Sequence, residues 1–298
     1  MLKTHKPDVI CFMETKADST SSALGFMPRF GYDKQFQVPA SGFAGGLWLF
    51  WKSSGVHLSV LSSSAQVIHC SVDYNAKNYL LSLVYVRPQA HFKESFWNDI
   101  ESRSLTNTVS WVLMGDFNEI MSADEVFPRH SATFQRASRF RQILDNYNLF
   151  SEDALGCKFS WCRIQHGRVM LRERLDRVLF NAQAKVQFQG AKLINLPRTC
   201  SDHHPILLNL DTAASQPPPY KPRCFEAVWL TREEFSKVFS QAWGQYPLDM
   251  KAAIENTSSA CMSWGREVFG NIFRRKRLLR ARIAGIQNSP SYGSSAPL

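Results

Sequence analysis

The chain has 298 residues and a mass of 34.0 kDa, enough to bury a large core. Its composition, 44% hydrophobic and 20% charged with ordinary glycine and proline contents, excludes collagen-like, coiled-coil and wholly disordered proteins. The net charge of +10 permits attraction to nucleic acid or to anionic lipid without choosing between them.

Strand-like and helix-like patterns alternate through the first two thirds of the chain. Apolar residues spaced three and four apart predict helices over residues 91–105 and 133–149. Runs of β-branched and aromatic residues between turn signals predict strands, over residues 8–13, 46–51, 56–61, 67–72, 79–86, 111–114, 158–163, 172–180 and 205–210. This alternation predicts a layered α/β or α+β sandwich.

A proline-rich segment, residues 213–222, contains three successive prolines, which can join neither a ladder nor a helix. We interpret it as a linker between a domain over residues 1–212 and a basic helical extension over residues 223–298. Residues 221–298 carry +6 of the net charge of +10, and helical patterns lie over residues 232–243 and 250–287. A solvated basic face and a nucleic-acid contact are equally consistent with that charge.

Several polar segments lie at the ends of predicted strands, where a sheet rim can present side chains to a site. Taken singly, each has an ordinary reading as a turn, a core side chain or a surface ion pair. They contain Glu14, Tyr85, Gly115-Asp116-Phe117-Asn118 and Ser201-Asp202-His203-His204, and a further segment inside a predicted strand is Arg174-Leu175-Asp176-Arg177.

Carboxylates gathered in one cluster repel one another unless a cation lies among them. Oxygen ligands of this kind suit Mg²⁺ or Mn²⁺ rather than zinc. A hard cation with an imidazole suits phosphodiester hydrolysis, because the metal neutralises phosphate charge, a carboxylate deprotonates water and a protonated histidine stabilises the transition state. The residue types therefore indicate a hydrolase of phosphate esters.

The order of these segments, together with Phe159-Ser160-Trp161, resembles the endonuclease/exonuclease/phosphatase superfamily. Within it, residues 1–212 resemble the apurinic-type endonuclease domains of plant LINE-like (non-LTR) retrotransposons. The tail around Trp229 and Trp264 resembles the segment that precedes reverse transcriptase in those elements. The resemblance implies an α/β fold, a four-layered α/β sandwich of two packed mixed β-sheets flanked by helices, with a helical C-terminal extension.

The resemblance also implies roles for individual residues around Mg²⁺, with Mn²⁺ as an alternative. Glu14 and Asp202 are expected on the metal side, and Asp116 is expected to activate the attacking water with help from Asn118. The residues expected around the phosphate are Tyr85 at the scissile group, His203 as a protonated group held by Asp176, and Ser160, Arg87 and Arg174 as substrate contacts.

One feature of the resembled family is missing from this sequence. Family members begin with a strand that carries a motif like Trp-Asn-x-Arg-Gly, ahead of the strand that leads to Glu14. A sandwich without that strand is expected to leave a strand edge unpaired, and such an edge invites pairing with another chain.

We predict a Mg²⁺-dependent endonuclease that nicks DNA, with RNA as a further candidate ligand of the basic tail. Two alternatives keep the same fold: a phosphatase of a small phosphate ester, and an inactive nucleic-acid-binding remnant. Seven cysteines without a CxxC pair and no evident secretory signal predict an intracellular location, nuclear for a DNA-nicking protein. No apolar run approaches the ~20 residues that cross a bilayer, so no membrane partner is expected.

Overall fold

The computed structural model describes most of the chain and divides it into two compact units. The first unit is formed by Met1–Thr212 with Ile286–Leu298, and the second by Ala213–Gly285. The predicted linker, residues 213–222, lies outside the described residues. The described residues are 2–16, 22–40, 42, 44–104, 109–129, 132–166, 168–210, 225, 227–269, 272–289 and 292.

The described strands all belong to the first unit. They are β1 (Val9–Met13), β2 (Lys34–Val38), β3 (Leu47–Trp51), β4 (His57–Ser63), β5 (Val67–Tyr74), β6 (Lys77–Tyr85), β7 (Trp111–Asp116), β8 (Val126–Phe127), β9 (Phe150–Ser151), β10 (Ala154–Gly156), β11 (Trp161–Gln165), β12 (Arg168–Glu173), β13 (Asp176–Phe180), β14 (Lys192–Asn195) and β15 (Ile206–Asn209). The α-helices are α1 (Leu2–His5), α2 (Ala90–Ser104), α3 (Ala132–Asn146), α4 (Ala182–Gln187), α5 (Glu234–Gly244), α6 (Met250–Phe269) and α7 (Ile272–Asn288).

A six-stranded sheet in the order β4-β5-β6-β7-β13-β9 forms the centre of the first unit. Its central strands are apolar on both faces, as is typical of a sheet covered on both sides. Strands β6 and β7 run parallel and their neighbours antiparallel, so the sheet is mixed. On one face, Trp97 of α2 and Phe140 of α3 pack against buried strand residues such as Leu113.

The other face of this sheet carries a second β-layer. This layer consists of two three-stranded sheets, ordered β1-β3-β2 and β10-β14-β15, and β10 runs parallel to β14. Residues from both small sheets pack against the same apolar cluster as Leu81 and Val112 of the central sheet. A 3₁₀ helix, Ser22–Phe30, covers the outer side of β1 and β3, where Met27 packs with Trp48. Helices, two β-layers and this outer helix make four layers, which confirms the predicted α/β sandwich.

One predicted strand is wrong in detail. The segment 172–180 was expected as one strand, but β12 ends at Glu173 and β13 begins at Asp176. These two strands join different sheets, because β12 pairs with β11 and β8 while β13 pairs with β7 and β9. The helix predicted over residues 250–287 is described as α6 and α7, and residues 270 and 271 between them lie outside the described residues.

The second unit is built from helices. Helices α5 and α6 pack together through a small aromatic cluster that contains Trp229, Phe235 and Trp264. Gly265 is required in α6 because an added Cβ would lie 2.9 Å from the Trp229 ring. Within the described part of the chain, no helix combines the length and the apolar character needed to cross a membrane.

Candidate active site

Three of the predicted site residues lie side by side across the rim of the central sheet. Asp116 at the end of β7 is opposite Tyr85 at the end of β6 and opposite Asp176 at the start of β13. All three side chains are buried, with 4% of Asp116 and 8% of Asp176 exposed. The pairing register of β6, β7 and β13 therefore places two carboxylates and a phenol side by side at the same position along the strands.

The Gly115-Asp116-Phe117-Asn118 run fixes the orientation of the Asp116 carboxylate. Gly115 has a φ of 147°, and an added Cβ would lie only 1.9 Å from the carbonyl oxygen of Val84, so only glycine fits between β7 and β6. The backbone N–H of Asn118 donates to Asp116 Oδ1 at 2.8 Å, and its side-chain Nδ2 donates to Asp116 Oδ2 at 3.0 Å. Both carboxylate oxygens are thus held by one residue.

His203 approaches the same rim from a separate loop. Its Nδ1 lies 2.9 Å from Asp176 Oδ2, so the imidazole donates to that carboxylate. Ser160 holds the other side of this pair, because its Oγ accepts the backbone N–H groups of Leu175 and Asp176 at 2.9 and 2.8 Å. The backbone of Ser160 also accepts the N–H of His204 at 2.6 Å. Ser160 therefore ties the start of β13 to the histidine loop.

The pKa values of Asp116 and His203 are both raised above the ordinary values of their residue types. Burial, reinforced by the negative charge of Asp176, raises the pKa of Asp116 to about 7. Burial acts against a charged imidazole at His203, but its hydrogen bond to Asp176 and the charges of Asp116 and Asp202 raise the pKa of His203 to about 9. At neutral pH the site thus combines an imidazolium with a carboxylate that can take up a proton.

Glu14 follows the end of β1 and reaches the same group of residues. Its Oε1 accepts the Tyr85 hydroxyl, and its Oε2 lies 3.5 Å from Lys16 Nζ. Burial and this hydrogen bond raise the pKa of Tyr85, so its phenol remains an O–H donor. The Glu14 side chain is 42% exposed, which leaves its carboxylate open to a ligand from solution.

These residues line one cavity in the first unit, which has a volume of about 890 Å³. Six of the ten predicted site residues contribute to its wall: Glu14, Tyr85, Asp116, Asp176, Asp202 and His203. The predicted metal-side and catalytic residues other than Asn118 therefore share one pocket.

The donor set fits a hard divalent cation. Five carboxylates line the cavity, those of Asp8, Glu14, Asp116, Asp176 and Asp202. Burial, with the charges of Asp176 and Glu14, raises the pKa of Asp116, a cost that a cation would offset. Among the residues that the structure describes, no three Asp, Glu, His or Cys side chains converge closely enough to enclose a metal ion. A divalent ion held here would keep several of its waters, as Mg²⁺ usually does.

Asp202 lies at the outer edge of the cavity. Its Oδ2 accepts the indole N–H of Trp161 at 3.0 Å, and its carbonyl oxygen accepts the backbone N–H of Cys162. Although partial burial acts in the other direction, the Trp161 bond and the charge of His203 lower the pKa of Asp202. Trp161 thus positions Asp202. This tryptophan is part of the Phe159-Ser160-Trp161 segment singled out above, but the sequence predicts no role for it.

The three expected substrate contacts need correction. Ser160 is fully buried and its hydroxyl is occupied by two backbone N–H groups, so it orders the site instead of contacting phosphate. Arg174 donates to the carbonyl oxygen of Glu152 at 2.7 Å and lies 3.5 Å from Glu125, away from the cavity wall. Arg87 stacks its guanidinium on the Phe92 ring, 4.6 Å from the centroid, and does not line the cavity either.

Sequence reasoning missed an ion-pair network beneath Asn118. Arg136 of α3 donates to the Asn118 carbonyl oxygen at 3.0 Å and to Glu119 Oε2 at 2.8 Å. Lys93 of α2 donates to the same Asn118 carbonyl oxygen at 3.0 Å. Asn118 has a positive φ of 50°, and these two cations hold its peptide in that conformation. Helical positions so distant in sequence give no local signal for such a role.

Comparisons with known proteins agree on the fold. The model of the Endonuclease/Exonuclease/phosphatase family matches residues 1–203. The chain is similar to the solved 3′-5′ exonuclease NExo from Neisseria meningitidis, with 20% identity, a TM-score of 0.51, and 70% of this chain and 91% of that chain covered. It is similar to an AP endonuclease from Archaeoglobus fulgidus, with 18% identity, a TM-score of 0.50, and coverage of 71% and 91%.

A third solved structure comes from a mobile element. It is the endonuclease domain of TRAS1, a telomere-specific non-LTR retrotransposon, with 14% identity, a TM-score of 0.48, and 63% of this chain and 89% of that chain covered. None of the curated proteins matches the chain.

Proposed function

Because the chain belongs to the Endonuclease/Exonuclease/phosphatase family, we propose that it is a Mg²⁺-dependent phosphodiester hydrolase that nicks DNA. The observation that carries this proposal is the shared cavity in which Asp116, held by Asn118, lies between Tyr85 and the Asp176–His203 pair. The retrotransposon-type role and a nuclear location rest on the sequence resemblance given above.

In this proposal Asp116 receives the proton of the attacking water. The two bonds from Asn118 fix the carboxylate plane, so the oxygens point in a defined direction when water enters the cavity. A carboxylate with a pKa of about 7 accepts a proton more readily than an ordinary aspartate does. A divalent ion bound by Glu14, with Asp202 on the same side, would neutralise charge on the phosphate oxygens.

His203 supplies positive charge to the phosphate. Its Nδ1 is committed to Asp176, and none of the described residues is hydrogen-bonded to its Nε2, which is therefore the ring nitrogen that can donate to a phosphate oxygen. With a pKa of about 9 the imidazole is protonated at neutral pH. The Tyr85 hydroxyl lies in the same wall and donates its proton to Glu14 Oε1.

The first test measures nicking of supercoiled plasmid DNA by the full chain in the presence of Mg²⁺. The change Asp116→Asn removes the proton acceptor and should reduce the nicking rate by ~100-fold or more. EDTA should abolish nicking. Asp99→Asn should leave the rate unchanged, because Asp99 lies 2.8 Å from His69 Nε2 of β5 and neither residue lines the cavity.

Other outcomes separate the rival functions. Faster turnover of a small phosphate monoester than of plasmid would favour a phosphatase. Salt-sensitive DNA binding without any metal-dependent nicking would identify a nucleic-acid-binding remnant. Nicking that survives Asp116→Asn would reject the proposed site.

A further inference from the structure

The loop that carries Asp202 and His203 has little regular structure of its own. This histidine loop, residues 196–204, connects β14 to β15, and its β-pairing with other described residues is limited to the bridge between Trp161 and His203. Residues 199–202 are exposed to solvent. An exposed loop keeps a fixed shape only where specific contacts hold it. The position of His203 therefore depends on what the loop contacts.

The end of the histidine loop is held by the segment around Ser160. The backbone N–H of His204 donates to the Ser160 carbonyl oxygen at 2.6 Å. The Asp202 carbonyl oxygen accepts the backbone N–H of Cys162 at 3.0 Å. These bonds fix the last residues of the loop and leave its first half to other partners.

The first half of the loop is held by a residue near the end of the chain, in a segment that belongs to the same compact unit. Gln287 follows Arg198 by 89 positions, yet its side-chain amide binds both backbone groups of that residue. Its Oε1 accepts the Arg198 N–H at 3.3 Å, and its Nε2 donates to the Arg198 carbonyl oxygen at 3.2 Å. Only 8% of Gln287 is exposed. Both halves of this buried amide are thus satisfied by one loop residue, as a specific contact requires.

The Arg198 side chain extends this contact along the loop. Its Nη2 donates to the Tyr292 hydroxyl at 3.0 Å, and its Nη1 donates to the Ser201 carbonyl oxygen at 3.0 Å. The Ser201 hydroxyl in turn accepts the backbone N–H of His203 at 3.0 Å. A series of hydrogen bonds therefore leads from Gln287 and Tyr292 to the backbone of the histidine.

We propose that a C-terminal strap, defined as residues 286–289 with Tyr292, holds the histidine loop in its place at the cavity. Gln287 and Tyr292 are positioning residues in this proposal, because they do not line the cavity and act on His203 through Arg198. The catalytic part of this inference rests on the proposed function. The last residues of the basic extension thereby serve the site of the domain that they follow.

Backbone amide hydrogen exchange of the full chain, measured residue by residue by NMR in EDTA, tests the strap without hydrolysis. Gln287→Ala should speed exchange of the Arg198 and His203 amides by about tenfold, because the bonds that hold them are weakened together. The Leu196 amide donates to the Pro205 carbonyl oxygen at 2.8 Å and should keep its rate. Gln287→Met keeps a side chain of similar size without its hydrogen bonds and should give the same acceleration.

Nicking kinetics test the positioning role. Gln287→Ala and Tyr292→Phe should each lower kcat by ~10-fold and change KM by less than ~2-fold, because a loosened histidine loop weakens transition-state stabilisation while DNA still enters the cavity. The matched control is Gln183→Ala, which changes an exposed glutamine of α4 and should alter neither loop exchange nor kcat.

Unchanged exchange at the Arg198 and His203 amides in Gln287→Ala, or acceleration in that variant but not in Gln287→Met, would overturn the strap. Faster exchange with an unchanged kcat per folded molecule would overturn the positioning role, since the C-terminal segment would then support the fold alone. The two proposals fail in different measurements. A wild type that does not nick DNA contradicts the proposed function, whereas the strap is decided by the loop amides of the Gln287 variants.

Discussion

Two histidine–aspartate pairs in the first unit have similar geometry and opposite charge preferences. His203 Nδ1 lies 2.9 Å from Asp176, and His69 Nε2 lies 2.8 Å from Asp99. The pKa of His203 is raised to about 9, whereas burial, with the nearby charge of Arg103, lowers the pKa of His69 in spite of its bond to Asp99. A carboxylate partner alone therefore does not decide whether an imidazole is charged.

The difference comes from what surrounds each pair. His69 has a side chain only 6% exposed, and its Nδ1 is 2.7 Å from Ser82 Oγ, which also accepts the indole N–H of Trp111 at 2.8 Å. His203 is 29% exposed and borders a cavity with further carboxylates. Ser82, His69 and Asp99 have the residue types of a hydrolase triad, but Ser82 is 1% exposed and no substrate can reach it. The His69–Asp99 pair is therefore structural, and the His203–Asp176 pair can act on a ligand.

The largest expected effect contrasts the two histidines in the plasmid-nicking assay. His203→Gln removes the cation that faces the phosphate and should reduce nicking by ~100-fold to ~10,000-fold. His69→Gln should leave the rate per folded molecule unchanged, since His69 has no access to the cavity. Equal losses for the two variants would remove the functional distinction between the pairs.

The next effect is on the pH dependence of stability, measured by urea unfolding in EDTA. A folded-state pKa of about 9 for His203, against 6.5 when unfolded, contributes at most about 3 kcal/mol, present below pH 6.5 and lost as the pH rises through about 9. The stability difference between the wild type and His203→Gln should therefore shrink across that range.

The His69→Gln variant supplies the opposite trend. Because the pKa of His69 is lowered, its contribution is present above pH 6.5 and is lost as the pH falls through the folded-state value. For each variant, the stability difference from the wild type is plotted against pH. If the differences for His69→Gln and His203→Gln changed with pH in the same direction, the surroundings would not set the two charge states.

A smaller loss of stability is expected from Ser82→Ala. This change leaves His69 Nδ1 and the Trp111 indole N–H without their common partner in the core, which should cost ~1–3 kcal/mol in the free energy of unfolding. Ser71→Ala on the neighbouring strand is the matched control, because Ser71 is exposed and its loss should change stability by less than ~0.5 kcal/mol. Equal effects of the two changes would mean that the buried network is energetically unimportant.

The sequence predicts the parts of this molecule that depend on local pattern. The expected strand over residues 67–72 and helix over residues 91–105 correspond to β5 and α2, because their apolar spacing is regular. The family resemblance also identified six of the residues that line the cavity. Sequence spacing could not reveal that Asp116 faces Tyr85 and Asp176, since that alignment depends on which strands become neighbours.

The same limit explains the errors at Ser160 and Arg174. Both lie in motif segments, and a motif does not tell which side chains turn inward. Ser160 turns towards two backbone N–H groups at the start of β13, and Arg174 turns towards Glu125 and Glu152. Tertiary packing decides these directions after the strands have paired.

The smallest expected effect concerns Arg136, a positioning residue that acts through the Asn118 peptide. Arg136→Gln should lower kcat by ~10-fold with little change in KM, because the Asp116 carboxylate loses its fixed orientation while the cavity that admits DNA is unchanged. Arg136→Lys should recover part of the rate, and Arg139→Gln, an exposed arginine of the same helix, should have no effect. If Arg136→Gln lowers stability but leaves kcat per folded molecule intact, the network supports the fold alone.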